Sequence, residues 1–504
     1  MNPHPRTLLF SLLLASGLPT STALADVTLP AIFSDHMVLQ ADAAAPVWGQ
    51  AEPGEAVTVT VGRQTKSAKA GSDGNWSVKL DPMKSGEVAT LTVKGKNTIA
   101  VSDVLAGEVW LCSGQSNMAF GVGGQEKAPA DLPEFRIFTE TSLGKEVPGK
   151  TGAGEWQICS PETIKDISGT AYFFGRNLHE SLGRPVGVVV SAVGGTAIES
   201  WTDAKLQKDL PDMEPIFQKI EEDSARGYNP ETAKANYEKA MAAHNAVAAQ
   251  AQAAGARVPH PPRLQLHPQA TGPGGLFNGK IAPLIPYAIR GAVWYQGEAN
   301  AKTPETGKLY ATKFSMMIND WRARWGQGDF PFVWVQLPQF TNDQFQGWRE
   351  LRESQLKTLH LPNTGMIVTA DMKIPDPTKI HPTNKKDLGR RLCAWAMAKV
   401  YGKNTPFSGP LPTGQEIKGS EIVCSFEHAG GMKPADGELK GFMIAGPDKK
   451  WMPATAKIAE NKVIVSSPGV SRPAAVRYSW EDVPDGNLVN ADGLPASPFR
   501  SDDW

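Results

Sequence analysis

Between Asp26 and Ala106, apolar and polar residues alternate in short runs, as in Val57, Val59 and Val61 or Trp76, Val78 and Leu80, broken by Pro53-Gly54 and Asp73-Gly74. A period of two between turn residues predicts strands, so 26–106 reads as an N-terminal β-domain. From Glu108 the pattern changes. Apolar runs at Glu108–Cys112, Val186–Ser191, Arg290–Tyr295, Phe330–Val335 and Thr364–Thr369 alternate with segments of helical period, such as Ala171, Phe174, Leu178 and Leu182 ahead of Gly183, or Phe314, Met317, Trp321 and Trp325 ahead of Gly326. Strands that are apolar throughout, each followed by an amphipathic helix, predict an α/β core with a doubly wound parallel sheet over 107–403. Residues 204–270 interrupt the rhythm as a polar insertion. There Asn229-Pro230 caps an Ala-rich helix running to about Ala254, and Gly255 stops it. This rod is expected to pack as a structural element. Residues 404–504 return to β-character in a C-terminal region expected to pack with the N-terminal β-domain, since sheets avoid open edges.

The first 25 residues join a basic start at Arg6 to an apolar run, Leu8–Leu18, and then Ala23-Leu-Ala25, the form of a cleavable signal peptide. The run is too short to span a bilayer, so the expectation is an exported protein, periplasmic or secreted, with no membrane span after cleavage. Lys and Arg total 51 against 52 Asp and Glu, which argues against nucleic acid as a partner. The four cysteines form no C-x-x-C pair and no H-E-x-x-H motif is present, so no metal is expected.

Open α/β sheets bind ligands at the carboxyl ends of their strands. The loops due at that edge carry Ser116, Gly194-Gly195-Thr196, Gln296-Gly297-Glu298-Ala299-Asn300 and His381-Pro382. A serine hydroxyl needs a base within hydrogen-bond reach, and of the nine histidines only His381 falls between a core strand and the following helix. A tetrahedral intermediate also needs donors aimed at its oxyanion. The backbone N–H groups of Ser116 and Gly195 and the amide of Gln296 are the candidates, with Asn300 in reserve. The turn reads Gly114-Gln-Ser-Asn-Met118 and lacks the second glycine of the G-x-S-x-G elbow, which disfavours an α/β-hydrolase.

Taken in order, Ser113-Gly-Gln-Ser-Asn-Met118, Gly194-Gly-Thr-Ala-Ile-Glu-Ser-Trp201, Trp294-Tyr-Gln-Gly-Glu-Ala-Asn300, Leu351-Arg-Glu-Ser-Gln355 and Ile380-His-Pro382 resemble the sialate O-acetylesterase-like carbohydrate esterases of the SGNH hydrolase superfamily. The resemblance implies an SGNH-type core, no cofactor, and a serine esterase that removes O-acetyl groups from carbohydrates through an acetyl-enzyme. Ser116 would be its nucleophile and His381 its base. The superfamily often places Asp three residues before that histidine, where this chain has Thr378, so the orienting group is open between Asp376, Asp371 and a backbone carbonyl, with Asp376 the first candidate. Gln115, Glu298, Asn300 and Arg352 are taken as substrate-binding residues; a sialate carboxylate would favour an Arg clamp, for which Arg349 and Arg352 are the candidates. The substrates expected are acetylated hemicellulose oligosaccharides or sialic acids, with the former favoured. A rival reading is a secreted glycan-binding protein with an inactive SGNH core, for which the terminal β-regions and 14 Trp would suit sugar stacking.

Overall fold

The strand Thr98–Gly114 joins the two halves of the protein. Its first part pairs antiparallel with Val88–Lys94 and parallel with Val38–Gln40; its second part pairs in parallel with Val186–Ala192 and Gly291–Tyr295. In the computed structural model, which describes residues 26–123, 131–256, 258–259 and 261–504, this strand changes from partial to complete burial along its length. The division expected at 106/107 therefore falls inside one strand. Alternation in the sequence marked where one-sided burial ends, and the backbone continues through that point. The signal-like segment 1–25 lies outside the described residues.

The core sheet runs in the order Thr364–Ile367, Phe332–Val335, Gly291–Tyr295, Thr98–Gly114, Val186–Ala192, Leu132–Thr139 and Trp156–Cys159. The first six are mutually parallel, and the last is an antiparallel edge. The five core strands expected from the sequence are all present. Those at 132–139 and 156–159 were not anticipated, because their apolar runs are short and 132–139 begins Leu-Pro-Glu, with Pro133 and Glu134 exposed. After Val186–Ala192 the chain crosses the central strand and builds outward on its other side. The winding thus reverses at the carboxyl end of Thr98–Gly114, where doubly wound sheets open a crevice for ligands.

Local signals fix the flanking helices. Ser168 caps Gly169–Leu182 by accepting from the Ala171 N–H, and Gly183 ends it in the left-handed conformation at φ 59°. Thr303 and Pro304 open the helix Pro304–Trp325, and Asn384 caps Lys385–Lys399. Trp294 from the sheet packs at 5.7–6.1 Å from the rings of Trp201, Phe314 and Trp321. Each such aromatic pair adds about 0.5–1.5 kcal/mol beyond the area it buries.

In the insertion, Asn229 caps Pro230–Ala253 as expected, but Ala233 is the one buried residue in that helix. Beyond its first turn the rod keeps one half-buried stripe, Tyr237, Met241, His244, Ala248 and Ala251, and exposes its other faces. The C-terminal region has its own apolar cluster, including Ile422, Ile444, Val463 and Tyr478. It docks on the core, through Arg500 with Glu353, Gln336 with Ser497, and the Phe340 N–H with the Asp482 carbonyl. The helix Trp348–Lys357 supplies one of these partners, its Glu353 pairing with Arg500. Among the described residues, no helix is long and apolar enough to cross a membrane.

Candidate active site

The central strand ends at Gly114, where a Cβ would stand 2.2 Å from the Tyr295 carbonyl oxygen. Only glycine permits that approach. It lets the Gln115 N–H donate to Tyr295 O at 3.0 Å and starts the short helix Ser116–Ala119 at the crevice. Ser116 is half-buried there, and Gly194 from the neighbouring loop lies close, a Cβ on it falling 3.4 Å from Ser116 Cβ.

The loop after Thr364–Ile367 brings His381 Nε2 to 2.8 Å from Ser116 Oγ. This loop is held from beneath by Asn117, whose Nδ2 donates to the Ile380 carbonyl at 3.1 Å and to Glu298 Oε1 at 2.6 Å. Asn117 Oδ1 accepts from Lys385 Nζ at 2.6 Å, and the ammonium lies 4.9 Å from the centre of the Tyr295 ring. Glu298 and Lys385 are both buried. Burial raises the Glu298 carboxyl above its usual range and brings the Lys385 ammonium down to about 7, each charge partly relieving the other. The His381 imidazole is held below its ordinary value, first by burial and then by the Lys385 charge. It is therefore neutral near pH 7 and able to accept a proton.

Gly195 is exposed at φ 74°, and neither its N–H nor that of Ser116 donates a hydrogen bond to any described residue. Two backbone donors thus stand open at the edge that carries the Ser116 hydroxyl. The Gln296 amide differs from expectation. Its Nε2 donates to Thr196 O at 3.1 Å and to Asn300 Oδ1 at 2.9 Å, while Oε1 accepts from Tyr310. Both amide hydrogens are occupied in holding the glycine loop in place. Asn300 is equally engaged, accepting from the Ile198 N–H and donating to both Glu199 oxygens, and Glu199 in turn pairs with Lys313.

Other expected residues fall elsewhere. Asp376 is exposed and accepts from the Thr378 N–H and hydroxyl; among the described residues no carboxylate pairs with His381. The five-residue spacing leaves a turn between them, and that turn absorbs the carboxylate. Arg352 is 1 % exposed and donates to the carbonyls of Glu481, Asp482 and Pro338, so it fastens the C-terminal region and binds no substrate. Its charge suggested an anion clamp, but in a helix face that is buried it serves carbonyl groups. Glu298 and Asn300, buried beneath the loops, shape the site without facing it, and Gln115, also buried, accepts from the Ala299 N–H at 3.2 Å.

Sequence reasoning passed over Asn117 and Lys385. Asn117 sits beside the serine inside the motif, and Lys385 lies four residues after His381 at the start of the next helix; those positions were the available signals. Also overlooked was Phe120, whose ring lies 4.3 Å from the His381 ring centre to centre.

This geometry can be set beside known proteins. A family model described as carbohydrate esterase, sialic acid-specific acetylesterase, matches residues 106–219 and 279–398. Sialate O-acetylesterase of Mus musculus is 31% identical over 92% of this chain and 92% of its own, and the Homo sapiens protein of that name is 29% identical over 92% and 91%. The crystal structure of a carbohydrate acetylesterase from Xanthomonas citri superposes with a TM-score of 0.78 at 34% identity, covering 95% of this chain and 100% of that one. With the Ser116 turn, the glycine loop and the histidine loop meeting at one sheet edge, the chain belongs to the sialate O-acetylesterase family of carbohydrate esterases.

Proposed function

We propose that this carbohydrate O-acetylesterase works through Ser116 and His381, a reading carried by the 2.8 Å contact between Oγ and Nε2 at the open end of the sheet. As Oγ attacks the acetyl carbonyl, its proton passes to Nε2 and the carbonyl π electrons move to oxygen. The N–H groups of Ser116 and Gly195, which donate to no described residue, serve that oxyanion in this reading, and donors of this kind contribute about 3 kcal/mol each. Collapse expels the sugar oxygen, which takes the proton from Nε2 and leaves acetyl-Ser116. Water, deprotonated by Nε2, then attacks the acetyl carbon, and acetate departs as Oγ regains the proton. No metal or organic cofactor is needed for these steps.

Support for neutral saccharides as substrates comes from Arg352, the cation suggested for a carboxylate clamp, which is turned into the C-terminal region. Acetylated hemicellulose oligosaccharides are the favoured class, met outside the cytoplasm if residues 1–25 direct export. Acetate release from acetylated xylan, acetylated xyloglucan oligosaccharides and O-acetylated sialic acids should be compared, with Ser116→Ala as control. The proposal expects the hemicellulose esters to be cleaved fastest and Ser116→Ala to be inert. Activity confined to sialic acids would overturn the substrate class; full activity in Ser116→Ala would overturn the nucleophile.

A further inference from the structure

Phe120 is 50% exposed while its ring rests against the imidazole of His381, centres 4.3 Å apart and planes tilted by 41°. Single exposed apolar residues are common and need no explanation on their own. This one differs in position. Its backbone is fixed from both sides, the Phe120 N–H donating to Ser116 O at 2.8 Å and its carbonyl accepting from the Gly169 N–H at 2.7 Å. The ring is thus presented at a set distance from the nucleophile turn, with its remaining surface open. A restraint on the imidazole alone would be served as well by a ring sunk in the core, where its apolar surface would be out of water.

We infer that Phe120 is the platform on which the sugar ring of the ester sits, a specificity-determining residue for the alcohol side of the substrate. The inference rests on Ser116 and His381 acting as proposed above. In that reaction the sugar oxygen must leave toward His381 Nε2, which donates its proton, so the pyranose carbons attached to that oxygen are carried past the imidazole and over the adjoining Phe120 ring. Their C–H groups present an apolar face to the aromatic surface. Contact with this non-reacting part of the substrate can be used in the transition state, whereas a small acetyl ester has nothing to lay on the ring.

The test is a ratio. The kcat/KM for an acetylated xylo-oligosaccharide is divided by that for a small alkyl acetate, in wild type, Phe120→Ala and Phe120→Trp. The platform predicts that Phe120→Ala lowers this ratio about tenfold, in keeping with one lost aromatic contact, and that Phe120→Trp keeps it near wild type. Equal losses on both esters would mean that Phe120 acts only by steadying His381, and would overturn the platform while leaving the esterase mechanism intact. A wild-type enzyme that releases acetate from neither ester would instead overturn the mechanism, and the platform with it.

Discussion

Asn117 Nδ2 donates at 3.1 Å to the carbonyl oxygen of Ile380, the residue directly before His381, so the side chain next to Ser116 holds the loop that carries the imidazole. Ser116 and His381 are therefore tied to a shared anchor. This anchor takes up part of the work that an orienting carboxylate does elsewhere, because it constrains the peptide from which the imidazole projects.

Asn117→Ala removes that anchor and leaves Glu298 and Lys385 without their common partner. A shift of the His381 loop by about 1 Å is enough to cost about a hundredfold in rate, and the loss should fall on kcat more than on KM. Stability should also fall, by about 1–3 kcal/mol in denaturant unfolding, since buried polar groups lose their match. A variant that is less stable but unchanged in kcat would show the anchor to be structural only.

Asp376→Ala, by contrast, should leave kcat/KM within about threefold of wild type, where loss of a true orienting carboxylate costs about ten-thousandfold. The carboxylate bonds to Thr378 and not to the imidazole. Acetate release by the purified variant decides the matter, and a drop of several orders of magnitude would restore Asp376 to the catalytic group.

What the sequence reveals about this protein follows from how far each signal reaches. The parallel strands were legible because burial on both faces leaves unbroken apolar runs such as Val186-Gly-Val-Val-Val190. Ser116, Gly195 and His381 were legible because sheet topology alone sends their loops to one edge. The orienting contacts were not, since they depend on side-chain direction: Gln296 and Asn300 stand at the predicted edge yet turn inward to each other. Arg352 was misjudged for a related reason. A charged residue in a helix is normally solvated, whereas this one is buried and donates to the carbonyls of Glu481 and Asp482 in the C-terminal region.

Arg352→Met tests that docking. The carbonyls of Glu481, Asp482 and Pro338 lose their donor, each orphaned group costing about 1–3 kcal/mol, so the unfolding midpoint should fall markedly. Folded enzyme should keep its wild-type KM for an acetylated saccharide. A raised KM at unchanged stability would place the guanidinium in the substrate site after all.

The acid limb of the pH profile tests the electrostatics around His381. The imidazole must be neutral to take the Ser116 proton, and its pKa lies below the 6.5 of a free imidazole. Activity should therefore persist as pH falls past 6.5 and disappear only below, where the imidazole is protonated; in kcat/KM this limb reports the free enzyme. Lys385 is the second cause of the lowering, after burial. Its own ammonium, brought down to about 7, is still charged throughout the acid limb, so it acts in the range where it matters. In Lys385→Met only burial remains, and the limb should move to higher pH; in Lys385→Arg, which keeps a cation, it should move less. A limb that stays in place in a folded Lys385→Met would mean that burial alone sets the imidazole, and that the lysine charge does not act on it.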